Sequence, residues 1–107
     1  MMQILFAAGL CLAIDGDTIK CDGERLRIWG IDSPEMSTAE GPPAKAYMAK
    51  LIDGQAVRCE LKGWDRYKRT LAICHVNNTD IACEMVRAKQ AKDWARYSGG
   101  YYRKCEG

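Results

Sequence analysis

The chain has 107 residues, of which 48% are hydrophobic and 28% are charged, and its formal net charge at neutral pH is +2. This composition is typical of a folded globular domain and excludes a disordered, collagenous or low-complexity chain. Because a chain of this length buries roughly two-thirds of its unfolded surface, we predict one domain over residues 1–107.

The positive charge is concentrated in the second half of the chain. Residues 1–50 contain five Lys and Arg against seven Asp and Glu, whereas residues 51–107 contain eleven against seven. A basic half could contact a polyanion while an acidic half binds a metal ion. A surface of mixed, solvated charges accounts for the same numbers, so charge alone does not decide between the two interpretations.

The first predicted elements are strands. Residues 4–13 are apolar and predict a buried strand; no Lys or Arg precedes them, which disfavours the alternative of a signal-peptide core. Three short segments, 10–14, 18–21 and 25–31, are separated by Asp-Gly pairs, which favour tight hairpin turns. This pattern predicts a three-stranded meander at the start of the fold.

The middle of the chain combines helical and strand patterns. Apolar residues at helical spacing follow Pro-Pro and predict a helix over 44–52. Alternating polarity predicts strands over 56–61 and 70–76. Asp80 can cap a second helix that continues to about residue 88.

These elements predict a mainly β, α+β fold. Five strands with a helix between the third and the fourth suggest a five-stranded Greek-key barrel of the OB type, with two or three helices. Barrels of this type commonly bind oligonucleotides on one face and its loops. The aromatic segment after residue 88 is interrupted by Ser-Gly-Gly at 98–100, and we predict an ordered tail.

The six cysteines predict disulfide bonds. They form no Cys-x-x-Cys pair and the chain has one histidine, which disfavours a zinc site. An even number of cysteines in a small domain points to an oxidising compartment, so we expect a secreted or periplasmic protein whose leader is absent from this sequence. Among fifteen possible pairings, our hypothesis joins hairpin neighbours and anchors the tail: Cys11 with Cys21, Cys59 with Cys74, and Cys83 with Cys105.

Three carboxylates and one guanidinium lie at predicted strand ends. Asp17 closes an Asp-Gly-Asp turn, Asp32 and Glu35 belong to an Asp-Ser-Pro-Glu segment, and Arg27 precedes them on an apolar strand. Such groups could hold a hard cation against a phosphate. Each has a simpler interpretation: a tight turn for the first motif, a helix cap for the second, and an exposed strand residue for Arg27.

The loop at 63–69 interleaves cations with aromatic residues. Its three cationic side chains and two rings could contact phosphate and stack on a base. A turn stabilised by an ion pair between Asp65 and Arg69 is the alternative interpretation.

Taken together, these motifs resemble the staphylococcal nuclease (thermonuclease) family. The likeness rests on residues 15–18, 27–35, 65–72 and 85–87, in this order, and covers about residues 10–92. Members of that family have an OB-fold barrel with helices and cleave DNA and RNA phosphodiesters with one Ca²⁺. The resemblance therefore implies a Ca²⁺-dependent nuclease with little sequence specificity.

The resemblance also implies a role for nine residues. The calcium ligands would be Asp17, Asp32 and the backbone carbonyl of Ser33. The catalytic residues would be Arg27 and Arg69, which contact the scissile phosphate, and Glu35, the general base. The nucleotide contacts would be Tyr67, Lys68 and Tyr97.

The chain departs from the family pattern at three positions. Lys68 stands where the family usually has Gly, so the backbone of its loop is expected to differ. Lys89 replaces another common Gly, and Ser33 stands where Thr or Ala is usual.

The expected partner is DNA or RNA, with no membrane or protein partner and a monomeric state. The main alternative is a non-catalytic OB-fold module that binds nucleic acid without cutting it. A disulfide-stapled secreted interaction domain would fit the cysteines, but it leaves the charged motifs unexplained.

Overall fold

The computed structural model describes residues 4–7 and 10–107 of the chain. The strands in these ranges are β1 (Ile4–Ala7), β2 (Cys11–Asp15), β3 (Thr18–Cys21), β4 (Glu24–Ile28), β5 (Ile31–Asp32), β6 (Arg58–Trp64), β7 (Thr70–Val76), β8 (Thr79–Asp80) and β9 (Lys92–Asp93). The helices are α1 (Gly41–Ile52), α2 (Ile81–Arg87) and α3 (Ala95–Ser98), and a 3₁₀ turn follows at Arg103–Cys105.

The strands form a mixed sheet, and together with the helices they make a small domain of mixed α and β structure. Its order is β1-β6-β7-β4-β3-β2, with β8 added to β7, while β5 and β9 form a separate pair. The predicted meander is found as β2, β3 and β4 in successive antiparallel pairs, and β4 is parallel to β7. The six strands of this order are compatible with the predicted five-stranded barrel if β1 and β2, which stand at its two ends and follow each other in the chain, count as one strand. Closure itself stays a prediction.

The predicted third strand over 25–31 is shorter than expected. It ends at Ile28, and the chain resumes as β5, which pairs with β9 instead of continuing in the main sheet. Gly30 lies between them with φ of +86°, a conformation that interrupts a strand and that glycine adopts without steric cost. A Cβ at this position would lie 2.9 Å from the ring of Tyr102, so the break also makes room for the tail.

The core is formed by alternate strand residues and two helices. Ile19, Leu26 and Ile28 are fully buried in the meander, and Met48 of α1 and Met85 of α2 belong to the same buried cluster. Each such side chain contributes about 1.5–3 kcal/mol relative to exposure in water. The core side of β4 is thereby assigned to its even-numbered residues, which places Arg27 on the other side of the sheet.

Both predicted helices are present, and α1 begins earlier in the chain than predicted. α1 begins at Gly41, three residues before the predicted start, because the two prolines occupy its first turn, where no intrahelical N–H is needed. α2 is capped as predicted: Oδ1 of Asp80 accepts a hydrogen bond from the backbone N–H of Ala82 at 2.9 Å. Beyond α2, Lys89 adopts φ of +61°, the left-handed conformation that glycine favours.

The three predicted disulfides are confirmed. Two of them join directly opposite residues of antiparallel strand pairs, and the third ties the tail to α2, with partners 22 residues apart. The tail is ordered, as predicted, and contributes β9, α3 and the 3₁₀ turn. None of the helices in the described ranges combines the length and the apolarity needed to cross a bilayer.

Candidate active site

The turn between β2 and β3 brings Asp17 to the segment that follows β5. Oδ1 of Asp15 accepts a hydrogen bond from the backbone N–H of Asp17 at 2.9 Å, which shapes the turn. A Cβ on Gly16 would lie 2.6 Å from Cβ of Ser33, so only glycine permits this approach. Oδ2 of Asp17 then accepts a hydrogen bond from the backbone N–H of Ser33 at 3.0 Å.

Arg27 completes this group of residues, which we call the Asp17 junction (Asp17, Arg27 and Ser33). Arg27 is 6% exposed, and its Nη2 lies 3.4 Å from Oδ2 of Asp17. Its Nη1 donates a hydrogen bond to the backbone carbonyl of Ile28 at 2.6 Å, and the guanidinium lies 5.5 Å from the ring centre of Trp94. Arg27 is therefore not the exposed strand residue of the simpler interpretation.

The electrostatics of the Asp17 junction are those of a carboxylate held away from water. Burial raises the pKa of Asp17 from 3.8 to about 6, and the neighbouring Asp15 adds to this increase. The charge of Arg27 and the hydrogen bond from Ser33 act to lower the pKa, but they offset only part of the increase that burial causes. A carboxylate whose charge is incompletely compensated favours an additional cation beside it.

Asp32 and Glu35 have exposed side chains on a backbone that is well held. Asp32 lies in β5, opposite Lys92 of β9. The backbone carbonyl of Glu35 accepts hydrogen bonds from the N–H and the hydroxyl of Thr38, at 2.9 and 2.7 Å, and Gly41 packs against the same carbonyl. Because α1 begins only at Gly41, the interpretation of this segment as a helix cap is wrong.

The loop between β6 and β7 is organised by Asp65. Its Oδ1 accepts hydrogen bonds from the backbone N–H groups of Tyr67 and Arg69, both at 2.9 Å, and its Oδ2 accepts one from Nε of Arg69 at 2.6 Å. The guanidinium groups of Arg66 and Arg69 lie 5.1 and 5.4 Å from the ring centre of Tyr67, which is 65% exposed. The ion pair of the alternative interpretation is therefore present in the structure.

Lys68 adopts φ of +63° at the tip of this loop. The left-handed conformation that glycine favours is thus taken by a lysine at this position. Its backbone N–H donates a hydrogen bond to the carbonyl of Asp65 at 2.9 Å, which closes the turn.

The pairing of β4 with β7 determines how close Arg27 and Arg69 are. Arg27 lies opposite Leu71, and Arg69 precedes Leu71 by two residues, just before β7 begins, so an extended backbone there would put it on the same side of the sheet as Arg27. With strands about 4.8 Å apart and a rise of about 3.3 Å per residue, the two arginine Cα atoms are separated by roughly 8 Å. Two arginine side chains at this distance can reach one phosphate group.

The structure thus brings some predicted residues together and not others. Asp17, Arg27 and Ser33 are in contact, and Asp32 adjoins them in the chain. Within residues 10–107, no hydrogen bond or ion pair joins the side chains of Glu35, Tyr67, Lys68 or Arg69 to this group.

Tyr97 approaches the Asp17 junction through a residue that the sequence did not single out. Tyr97 lies in α3, is 56% exposed, and forms an edge-to-face pair with Trp94 at 4.5 Å between ring centres. Trp94 in turn covers the guanidinium of Arg27. The aromatic composition of the tail was the available signal, but nothing local indicated which strand the tail would contact.

The described residues offer oxygen donors for a metal ion but no dense cluster. In the part of the chain from residue 10 onward, no group of three or more His, Cys, Asp or Glu side chains is close enough to hold an ion. Asp17, Asp32 and the Ser33 carbonyl are hard oxygen donors, which suit Ca²⁺. Since Ca²⁺ takes six to eight oxygens, waters or substrate oxygens would have to supply the rest.

The chain is similar to several known proteins over most of its length. It is 37% identical over 89 residues to an uncharacterized endonuclease of Haemophilus influenzae, in an alignment that covers 78% of this chain and 50% of the relative. It is 29% identical over 106 residues to the succinoglycan biosynthesis protein ExoI of Rhizobium meliloti, covering 88% of this chain and 56% of the relative. It is 26% identical over 86 residues to the probable staphylococcal-like nuclease CAN2 of Oryza sativa subsp. japonica, covering 80% and 23%.

The chain therefore spans about half the length of the first two relatives and less than a quarter of the third. The family model described as staphylococcal nuclease homologue matches residues 25–105. This match includes Arg27, Asp32, Glu35 and Arg69, and it extends through the tail. The chain belongs to the staphylococcal nuclease family.

Proposed function

We propose that residues 1–107 form one Ca²⁺-dependent nuclease domain, which hydrolyses phosphodiester bonds of DNA or RNA with little sequence specificity. The observation that carries this proposal is the Asp17 junction, where the buried carboxylate of a turn contacts both the buried guanidinium of Arg27 on β4 and the backbone N–H of Ser33. Membership of the nuclease family supports the same class of reaction.

The two arginines supply the positive charge that the reaction needs. A phosphodiester is anionic and gains charge on its oxygens as the nucleophile attacks, so fixed donors aimed at those oxygens lower the barrier. A guanidinium has five N–H donors in a planar fork that matches two phosphate oxygens. Arg27 is oriented by Asp17 and the Ile28 carbonyl, and Arg69 is oriented by Asp65.

The residues around Asp17 would hold the metal ion. We assign Asp17, Asp32 and the carbonyl of Ser33 as its protein ligands, and the raised pKa of Asp17 supports this choice because a bound cation would stabilise the ionised carboxylate. Bound Ca²⁺ supplies positive charge near the phosphate and a position for a water molecule.

Glu35 is assigned as the general base. It lies three residues after Asp32, its side chain is exposed, and its backbone is fixed by Thr38. A carboxylate in this position can accept the proton of an attacking water.

The nucleotide contacts are assigned to the exposed rings of Tyr67 and Tyr97 and to Lys68. Rings that stack on any base and cations that contact phosphate carry little sequence information. Frayed or single-stranded substrate is therefore the expected preference.

We also propose that the sheet closes as a five-stranded OB-type barrel, with β1 and β2 at its two ends. The three disulfides support a secreted or periplasmic location, where such bonds persist. The domain is proposed to act as a monomer.

Digestion of heat-denatured DNA, with Ca²⁺ or with a chelator, tests the proposed function. We expect digestion that requires the metal, and we expect Glu35→Gln to lose turnover while still binding DNA. Glu40→Gln is the matched control, since Glu40 is an exposed carboxylate near the same segment whose side chain makes no capping hydrogen bond. Retardation of intact DNA without digestion would support the non-catalytic binding module instead. If the protein neither digests nor retards DNA, both the nuclease and the binding module are refuted.

A further inference from the structure

Four side chains beside the Asp17 junction form a second group of cations and rings, which the proposed reaction does not use. We call it the lysine–aromatic surface (Trp29, Lys62, Tyr101 and Lys104). Nζ of Lys62 lies 4.9 Å from the ring centre of Trp29, and Nζ of Lys104 lies 4.0 Å from that of Tyr101. The two rings meet edge to face at 5.8 Å. Trp29 directly follows β4, Lys62 lies in β6, and the tail contributes the other two residues.

The tail presents Tyr101 on a rigid support. The adjacent Tyr102 is fully buried, and its hydroxyl donates a hydrogen bond to Oδ2 of Asp80 at 2.6 Å. The disulfide between Cys83 and Cys105 fixes the chain three residues further on. Tyr101 nevertheless remains 48% exposed, so its ring is held in place without being removed from solvent.

The two lysines of this surface are available for an anionic partner. Both are exposed, and within the range of described side chains, residues 10–107, neither forms an ion pair with a carboxylate. A lysine stem is flexible, so its ammonium can leave a ring face and contact a phosphate while a base takes its place on the ring.

The lysine–aromatic surface adjoins the proposed site of cleavage. Trp29 follows Arg27 by two residues, so their Cα atoms are at most about 7 Å apart. One nucleotide of an extended strand covers a similar distance, and a strand held at Arg27 can therefore continue directly onto Trp29.

We propose that the lysine–aromatic surface binds the continuation of a single-stranded nucleic acid whose scissile phosphate lies at Arg27. Bases would stack on Trp29 and Tyr101, and phosphates would pair with Lys62 and Lys104. This inference rests on the proposed nuclease function and extends it, because it predicts that affinity depends on the length of strand beyond the cleaved bond.

Binding without cleavage tests the inference. Fluorescence anisotropy in a chelator would compare labelled oligothymidylates of about 4 and about 16 nucleotides, a range that spans typical single-strand site sizes. We expect the double variant Lys62→Gln/Lys104→Gln to bind the long strand about tenfold more weakly and the short one as the wild type does. The slope of log affinity against log salt for the long strand should fall by about 1.4, since each lost phosphate contact removes about 0.7.

The control is a matched pair of lysines on α1. Lys50 also lies over a ring, with Nζ 6.0 Å from the centre of Tyr47, and Lys45 is exposed on the same helix. If Lys45→Gln/Lys50→Gln weakens long-strand binding equally, net charge is the cause and the inference is overturned. An equal loss for the short and long strands also overturns it, because the lysines would then act by positioning the tail.

The two proposals fail in distinguishable ways. Metal-dependent digestion by the wild type, with unchanged long-strand binding in the Lys62→Gln/Lys104→Gln variant, overturns the inference and leaves the nuclease function standing. Absence of both digestion and binding in the wild type overturns the proposed function and the inference with it. Circular dichroism and thermal melting of each variant confirm that the fold is kept.

Discussion

The Asp17–Arg27 and Asp65–Arg69 pairs have the same chemistry in opposite environments. In the first pair the side chains are 12% and 7% exposed, and the partners come from a turn and a neighbouring strand. In the second they are 18% and 50% exposed, four residues apart in one loop. The buried pair joins a turn to a strand residue ten positions further along the chain, and Trp94 of the tail covers it, whereas the exposed pair orders only its own loop.

The two carboxylates respond to these environments in opposite ways. Burial dominates at Asp17 and raises its pKa to about 6 despite the charge of Arg27. At Asp65 burial also acts to raise the pKa, but hydrogen bonds from the backbone and side chain of Arg69 and from the backbone of Tyr67 outweigh it and lower the pKa. An Asp–Arg pair therefore leaves the charge of Asp17 incompletely compensated, whereas the hydrogen bonds around Asp65 favour its ionised form.

The largest expected difference between the pairs is in stability. Arg27→Ala should lower the free energy of unfolding by about 3–5 kcal/mol, because it leaves a buried carboxylate without its partner. Arg69→Ala should lower it by about 1 kcal/mol or less, since its pair is exposed. Urea unfolding in a chelator measures both. Equal losses would mean that burial does not distinguish the two pairs.

In catalysis the two arginines should be alike. Arg27→Lys and Arg69→Lys should each lower kcat on denatured DNA about 10²–10³-fold, because lysine cannot reproduce the planar fork at the phosphate. Arg66→Lys is the control, since Arg66 lies over the same tyrosine ring as Arg69 and has no assigned role at the phosphate. Near-normal turnover in folded Arg27→Lys or Arg69→Lys would refute the assignment of that residue.

The pH dependence of stability should differ in sign between Asp17 and Asp65. The pKa of Asp17 is raised on folding, so its contribution is fully present below about pH 4 and is lost as pH rises to about 6. Asp17→Asn should therefore gain stability relative to the wild type over this interval in a chelator. The contribution of Asp65, whose pKa is lowered, is present above its ordinary pKa and lost as pH falls, so Asp65→Asn should be less stable than the wild type at neutral pH.

Unfolding curves of these two variants and the wild type between about pH 2 and pH 7 would check both signs, because the contribution of Asp65 is lost only below its ordinary pKa. A pH-independent difference between Asp17→Asn and the wild type would show that Asp17 is not the group that burial perturbs.

The smallest expected effect concerns the backbone of the exposed loop. Lys68→Gly should raise the free energy of unfolding by up to about 1 kcal/mol, because φ of +63° strains a residue with a Cβ. The greater freedom of glycine in the unfolded chain offsets part of this gain. Lys45→Gly in α1 is the opposite case and should lower stability by about 1 kcal/mol. A lower free energy of unfolding in Lys68→Gly than in the wild type would show that the backbone at Lys68 is not strained.

Much of the fold could be predicted from local patterns. The Asp-Gly turns predicted the hairpins, opposite cysteines in neighbouring strands predicted two disulfides, and Asp80 predicted the start of α2. For the site, the resemblance supplied the candidate residues, and the contact of Asp17 with Ser33 agrees with their grouping.

Other features could not be predicted in this way. The strand break at Gly30 serves the packing of Tyr102, which arrives from 72 residues further along the chain. Trp94 covers Arg27 because β9 pairs with β5, a pairing that no local motif specifies.

The sequence by itself determined the turns, the cap of α2, the disulfide partners and the family, because these depend on residue types at short spacing or on ordered motifs. Only the tertiary structure decided which of two Asp–Arg pairs is buried, which aromatic residue covers Arg27, and which lysines line the surface beside it. Burial and long-range contact follow from the pairing of β4 with β7 and from the anchoring of the tail, and no stretch of a few residues carries that information.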